Sequence, residues 1–418
     1  MRMKRLLALI LSLLLLGSVF LPAMAEDAGE NDEELSEEDQ KTLAEMGEGE
    51  EDDDDANGQS RSINSIVYNT PGKKYEEKTL EDLSLDSPAL YTGTLIEGKS
   101  IYDGKKVNDP NKSPSEQKPT SKVLYTAKSG TTVDILSVGL NWVIVRKDQI
   151  MGYTKRSCLA KSTIKPLDPE HTPPFNEQKH SWVATTATAC PVRSTMEERD
   201  DNVILTLNPG TMLSVWQFQD GWAIVNFWKT YAYIDARNLT DMFRVSPTDE
   251  PLHEDMPIAA YTSYYKLPSM QTTKEAIQRY VNRVWNIRKG CEYITVTLEP
   301  GERFDGNGLM GRYNASKGYK KAGVMSGGKT TDGYGGGTCQ VSSTLYNAVI
   351  QLPGLRVTKR HPHGGDGACS YLPCQCDAAV GNESLNFCFV NDYDFTVRIE
   401  PHTSDDGALL MLIYRVFK

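Results

Sequence analysis

Past its first 25 residues the chain has no apolar run long enough to span a bilayer, which needs about 20 residues. It also lacks a basic excess. The net charge is −11, but residues 26–55 alone hold 17 acidic side chains against Lys41, and residues 1–25 carry +3, leaving 56–418 near +2. A nucleic-acid-binding face is therefore excluded, and the acidity belongs to a tail and not to a globular body. Aromatic residues are missing from 26–62, so this segment cannot bury a core and reads as a disordered acidic spacer. It has no glycine-punctuated ligand spacing of the kind a calcium loop needs. Paired Cys-x-x-Cys spacing is absent among the eight cysteines, which argues against a zinc ribbon, and no metal or other cofactor is expected.

What the first residues do contain is an export signal. Arg2, Lys4 and Arg5 precede a leucine-rich stretch, and Ala23-Met24-Ala25 offers small residues for cleavage before Glu26. No cysteine stands there to accept a lipid. The expectation is a secreted or wall-associated protein with no cytoplasmic partner, an uncleaved membrane anchor being the alternative. Eight cysteines in an exported chain permit disulfides, and Cys369, Cys374, Cys376 and Cys388 lie close enough for local bridges.

From residue 85 the pattern alternates as short strands do, and it repeats at an offset of 80. Ser129-Gly130-Thr131 matches Pro209-Gly210-Thr211, and Asn141-Trp142-Val143-Ile144-Val145 matches Gly221-Trp222-Ala223-Ile224-Val225. Gly152-Tyr153 falls on Ala232-Tyr233. The two units, 85–162 and 181–241, resemble bacterial SH3-like domains of cell-envelope proteins, which implies two small all-β barrels with Trp142 and Trp222 in their cores. Polar, proline-containing stretches at 163–180 and 241–258 read as linkers.

Beyond 268 the character becomes α+β. Residues 273–285 show a helical stripe of Ile277, Tyr280, Val281, Val284 and Trp285. Gly335-Gly336-Gly337-Thr338-Cys339-Gln340-Val341-Ser342-Ser343 then runs from a glycine turn into a helix. On that helix Val341, Leu345, Ala348 and Leu352 share one face, and Cys339, Ser343 and Tyr346 share the other. Cys339 falls in the first turn, where free amides and the helix dipole favour a thiolate. The glycines would let a substrate backbone approach, and their amides would face an oxyanion.

This segment, together with Pro300-Gly301-Glu302-x-Phe304, Arg360-His361-Pro362-His363, Tyr371-x-Pro373, Asp377-Ala378 and Asn391-Asp392-Tyr393, closely resembles the VanW family, named after an accessory protein of glycopeptide-resistance clusters. Where that family has Gly-x-Asp, this chain has Gln375-Cys376-Asp377. The resemblance implies a cell-envelope role and no settled reaction. The order Cys339, then His361 and His363, then Asp377 is also similar to transglutaminase-like and NlpC-type enzymes of the papain fold. That similarity implies a thiol nucleophile, a histidine base (His363 preferred, His361 second) and an orienting aspartate.

The expected whole is multidomain: a signal peptide (1–25), an acidic spacer (26–62), two SH3-like barrels and a VanW-type domain (268–418). Its expected partner is peptidoglycan or wall peptides, engaged by thiol-dependent acyl transfer or hydrolysis. The alternative is a scaffold that binds peptidoglycan or a glycopeptide without turnover. Gly335, Gly336, Gly337, Gln340, Ser343, Tyr346 and Tyr371 are the candidate substrate-binding residues.

Overall fold

A computed structural model describes residues 77–105, 121–139, 141–326, 329–363, 369–373, 376–381 and 384–417. The expected signal peptide and acidic spacer, and Cys374, lie outside the described residues. No helix among the described residues is long and apolar enough to cross a membrane.

Strands dominate, as the alternation predicts, but the barrels do not close. The first module forms one seven-stranded antiparallel sheet, with strands in the order 123–126, 100–102, 150–155, 142–147, 132–138, 91–95 and 159–166. In the second module the strands divide into a five-stranded and a three-stranded sheet. Each module buries a core on its strands, and in the second Thr230–Asp235 is buried along its whole length, so a hydrogen-bonded ring is not needed. Trp142 and Trp222 are only half-buried. Trp142 meets Tyr102 edge-on, and Trp222 packs beside Trp216, Tyr231 and Tyr233.

The first linker is not a loose tether. Residues 159–166 are a strand of the first sheet, and 172–180 are buried throughout. Phe175 plugs the first module's core against Tyr91. Three polar residues of the segment find buried partners. The His180 ring meets Ser214 at 2.8 Å and Asn226 at 3.2 Å, Gln178 donates to the Tyr231 hydroxyl at 2.9 Å, and the Glu177 carboxylate pairs with Arg156 at 2.7 Å. Polar sequence therefore marks burial here, with partners for His180, Gln178 and one oxygen of Glu177.

The second module and the C-terminal module share one core, running from Ala184 and Val225 through Ile287 and Val341 to Ile413. Strand Ala259–Tyr264, ahead of residue 268, pairs along its length with Ala408–Arg415. These belong to a four-stranded sheet completed by Val397–Thr403 and Thr297–Leu298. Helix α1 (Lys274–Ile294) is capped by the Thr273 hydroxyl, which accepts from the Ala276 amide. Its buried face is Asn286, Ile287, Gly290, Cys291 and Ile294. Ile277, Val281 and Trp285 of the expected stripe stay substantially exposed. A short helix α2 (Gly306–Met310) follows, and then α3 (Thr338–Val349), which packs against α1 and the four-stranded sheet. Both faces of α3 are buried, so its polar face turns toward protein and not toward solvent.

Candidate active site

Helix α3 brings the site together by holding two chain segments at once. Cys339 sits at its N-terminal end, partly exposed. One and two turns further on, the polar face clamps the segment around Asp377. Ser343 Oγ accepts from the Ala378 amide at 2.9 Å, Ser342 Oγ donates to the Ala378 carbonyl at 2.5 Å, and the Asn347 amide donates to the Cys376 carbonyl at 2.7 Å. The thiol itself donates to the Val380 carbonyl at 3.3 Å.

Strand Leu355–Lys359 delivers the other segment. It leads into Arg360, whose guanidinium donates to the Asp377 carbonyl oxygen at 2.6 Å and pairs with its carboxylate at 3.3 Å. The Ala379 amide donates to the His361 carbonyl at 2.7 Å, fastening the two segments together. Asp377 then grips His363 twice, with Oδ2 2.6 Å from the ring Nδ1 and 2.7 Å from the backbone nitrogen. The imidazole in turn interacts electrostatically with Cys339. Cys339, His363 and Asp377 thus form a connected thiol–imidazole–carboxylate row.

The electrostatics of the row follow from its burial. Burial disfavours a charged His363 ring, but the charge of Cys339 and the hydrogen bond to Asp377 prevail and hold the imidazole well above its usual value. Burial likewise opposes ionisation of Asp377. The His363 ring, Arg360 and the His363 amide overcome it and keep the carboxyl below the usual range. The arrangement favours an imidazolium beside an ionised carboxylate.

The two histidines separate clearly. His363 is in the row, whereas His361 is tied in by its backbone, and its Nδ1 is buried without a hydrogen-bond partner.

The residues expected to line a substrate pocket are differently placed. Gly335, Gly336 and Gly337 are buried, and the space a side chain would need is already filled by Tyr313, by the Gly323 carbonyl, and by Arg283 with Ile287. Their freedom serves a tight turn against α1, where Asn286 donates to the Gly336 carbonyl at 3.0 Å. Gln340 is fully buried between Arg283 and Ser263, and Ser343 is the clamp on Ala378. These two side chains face protein because both faces of α3 are covered. Tyr371 is buried with Arg283 over its ring. Tyr346 borders a cavity, with Arg360 over its ring at 5.0 Å.

Arg360 was quoted in the sequence only as part of a motif; its grip on Asp377 depends on two segments meeting in space. Among the described residues no group of three or more His, Cys, Asp or Glu side chains is placed to hold a metal ion. Cys158, Cys190, Cys291, Cys339 and Cys388 are free thiols.

With this geometry in place, the comparisons fall on the same part of the chain. Residues 282–414 match the family described as VanW like protein. A stretch of 115 residues is 36% identical to the uncharacterized protein YoaR of Bacillus subtilis (strain 168). That stretch covers 28% of this chain and 37% of the relative, so the chain spans little more than a third of that relative's length. Among solved structures, NlpC2 from Trichomonas vaginalis is 10% identical with a TM-score of 0.16, over 51% of this chain and 58% of its own. An NlpC/P60 family protein from Bacillus cereus ATCC 10987 is 13% identical with a TM-score of 0.13, over 37% and 56%. At those scores the likeness carries no argument about a shared fold.

Proposed function

We propose that this protein is an exported cell-envelope enzyme that cleaves or transfers acyl groups of wall peptides through the Cys339 thiol. The observation that carries the reading is the row itself: a thiol at a helix start, an imidazole in contact with it, and a carboxylate that holds the imidazole by ring and backbone together. A histidine that merely fills a core rarely needs a buried, doubly bonded carboxylate on one side and a partly exposed thiol on the other.

In the proposed reaction the Cys339 thiolate attacks a peptide carbonyl and a C–S bond forms. The C–N bond then breaks as His363 gives its proton to the leaving amine. Water attacks the thioester, His363 takes its proton, and the acid and the thiolate are released. With an amine in place of water the outcome is transfer. Asp377 is a positioning residue that fixes the ring, and Arg360 fixes Asp377.

The test is a peptidoglycan digestion followed by mass spectrometry of released fragments, run beside labelling with a thiol-reactive probe at neutral pH. The expected result is release by the wild type, none by Cys339→Ala or His363→Ala, and selective labelling of Cys339. Tight binding of wall fragments with no release, together with slow labelling equal to that of the other cysteines, would replace the enzyme by a binding scaffold.

A further inference from the structure

Away from the thiol, the first module, the buried linker and the C-terminal end of α3 enclose a cavity of about 1030 Å³. It is large enough for a ligand of several residues or a small organic molecule. Two features of its wall are unusual. Lys179 is 9% exposed, lines the cavity, and makes no hydrogen bond or ion pair with any described residue. Glu177 is buried beside it, with Oε1 on Arg156 and Oε2 without a hydrogen-bond partner. A buried ammonium and a buried carboxylate oxygen are both costly when unpaired.

Several surrounding charges are already matched and do not answer this need. Arg156 is held by Glu177, Arg356 by Asp392, and Arg360 by Asp377. Asp249 acts by charge on Lys179 and on Tyr393. Lys161, half-buried on the same wall, adds a second ammonium with no hydrogen bond or ion pair to a described residue. Burial pushes Lys179 down to about 8, and the neighbouring charge of Lys161 adds to that effect while Asp249 works against it. An anion between the two lysines would relieve both.

We infer that this cavity is a binding site for a carboxylate-bearing peptide, separate from the thiol, with the carboxylate seated on Lys161 and Lys179 and a peptide N–H donating to Glu177 Oε2. The site lies beyond the Asp377 side of the row. Tyr346, on its wall, is seven residues along α3 from Cys339, about 10 Å of helix rise. That the peptide comes from the wall rests on the proposed function; that it is anionic rests on the lysines alone.

The probe is the tripeptide L-alanyl-γ-D-glutamyl-L-lysine, titrated calorimetrically into the full chain carrying Cys339→Ala, so that turnover plays no part. The expected result is saturable binding, loss of at least tenfold in affinity with Lys179→Met and with Lys161→Met, and loss of the same size when the peptide's carboxylates are amidated. Trace acetylation at pH 8 reads the same site in the unmutated lysines: the tripeptide should protect Lys179. Absence of binding at millimolar peptide, equal binding of the amidated form, or binding untouched by Lys161→Met with Lys179 unprotected would each overturn the inference. Lys161 is only half-buried, so its variant keeps the test valid if Lys179→Met fails to fold. Binding with no peptide cleavage would leave this site standing and remove the thiol chemistry, while cleavage without this binding would do the reverse.

Discussion

The Asp377 carboxylate holds His363 at two points, the ring Nδ1 at 2.6 Å and the backbone nitrogen at 2.7 Å. One oxygen serves both bonds, and the other pairs with Arg360 at 3.3 Å. The ring's direction and the chain's path through residue 363 are therefore set by a single side chain.

The first prediction concerns the charge on that ring. Its raised pKa comes, against burial, in large part from Cys339, so Cys339→Ser should move the His363 titration downward when followed by NMR of the imidazole protons. The sign for stability follows. A raised folded value gives stabilisation that is complete below about pH 6.5, where the unfolded ring titrates, and is lost as pH climbs through the folded value. The serine variant should lose it over a lower range. An unchanged titration in the variant would mean that thiol and ring do not interact.

A second expectation separates anchoring from catalysis at Asp377. Asp377→Ala removes the buried carboxylate that pairs with both Arg360 and His363 and should cost about 3–5 kcal/mol in urea unfolding. Asp377→Asn keeps the volume, and any thiol-dependent activity should still fall by about 10²–10⁴, read as kcat and not as KM. Because the Asp377 pKa is lowered, its contribution is present above about pH 3.9 and disappears as pH falls through the folded value. Acid unfolding of the asparagine variant should accordingly be shallower than that of the wild type.

The glycine turn offers a third test. Gly335 and Gly301 both hold a positive φ, at 83° and 78°, but an added Cβ meets the Tyr313 ring at 2.7 Å in the first case and open space in the second. Gly301→Ala should cost about 1–2 kcal/mol, the backbone contribution alone. Gly335→Ala should cost measurably more and lower thiol labelling of Cys339, since the turn precedes it. Equal denaturation midpoints would show that Tyr313 moves aside freely.

Ser343 tests the clamp. Ser343→Ala leaves the buried Ala378 amide without its acceptor and should cost about 1–3 kcal/mol. If Ser343 instead touched substrate, KM would rise with the melting temperature unchanged.

The row was legible because it depends on local chemistry and chain order: a cysteine opening a helix after glycines, then histidines, then an aspartate. Choosing His363 over His361 depended on one residue's difference in path, which the Pro362 between them already separated. The pocket residues were less legible. Gln340 and Ser343 share a polar helix face, and polarity on a helix ordinarily marks solvent; here it marks a second chain segment bound to that face. The α1 stripe failed for the converse reason. Ile277, Val281 and Trp285 have helical spacing, but the half that packs contains Asn286 and Gly290, which no apolar periodicity flags. Strands were readable from alternation, whereas sheet closure is a matter of distant pairing. The proline-rich linker looked solvated because the partners of His180 and Gln178 lie 30 to 50 residues away.

The pairing of Ala259–Tyr264 with Ala408–Arg415 has a practical consequence for anyone handling this protein in pieces. The stretch that matches its relatives begins at 282 and so omits one of these two strands. A fragment cut there would uncover an apolar ribbon, Leu409 to Ile413, with its backbone donors and acceptors open along one edge. Such an edge recruits strands from other copies, and the fragment should precipitate on expression where one starting near 181 stays dispersed.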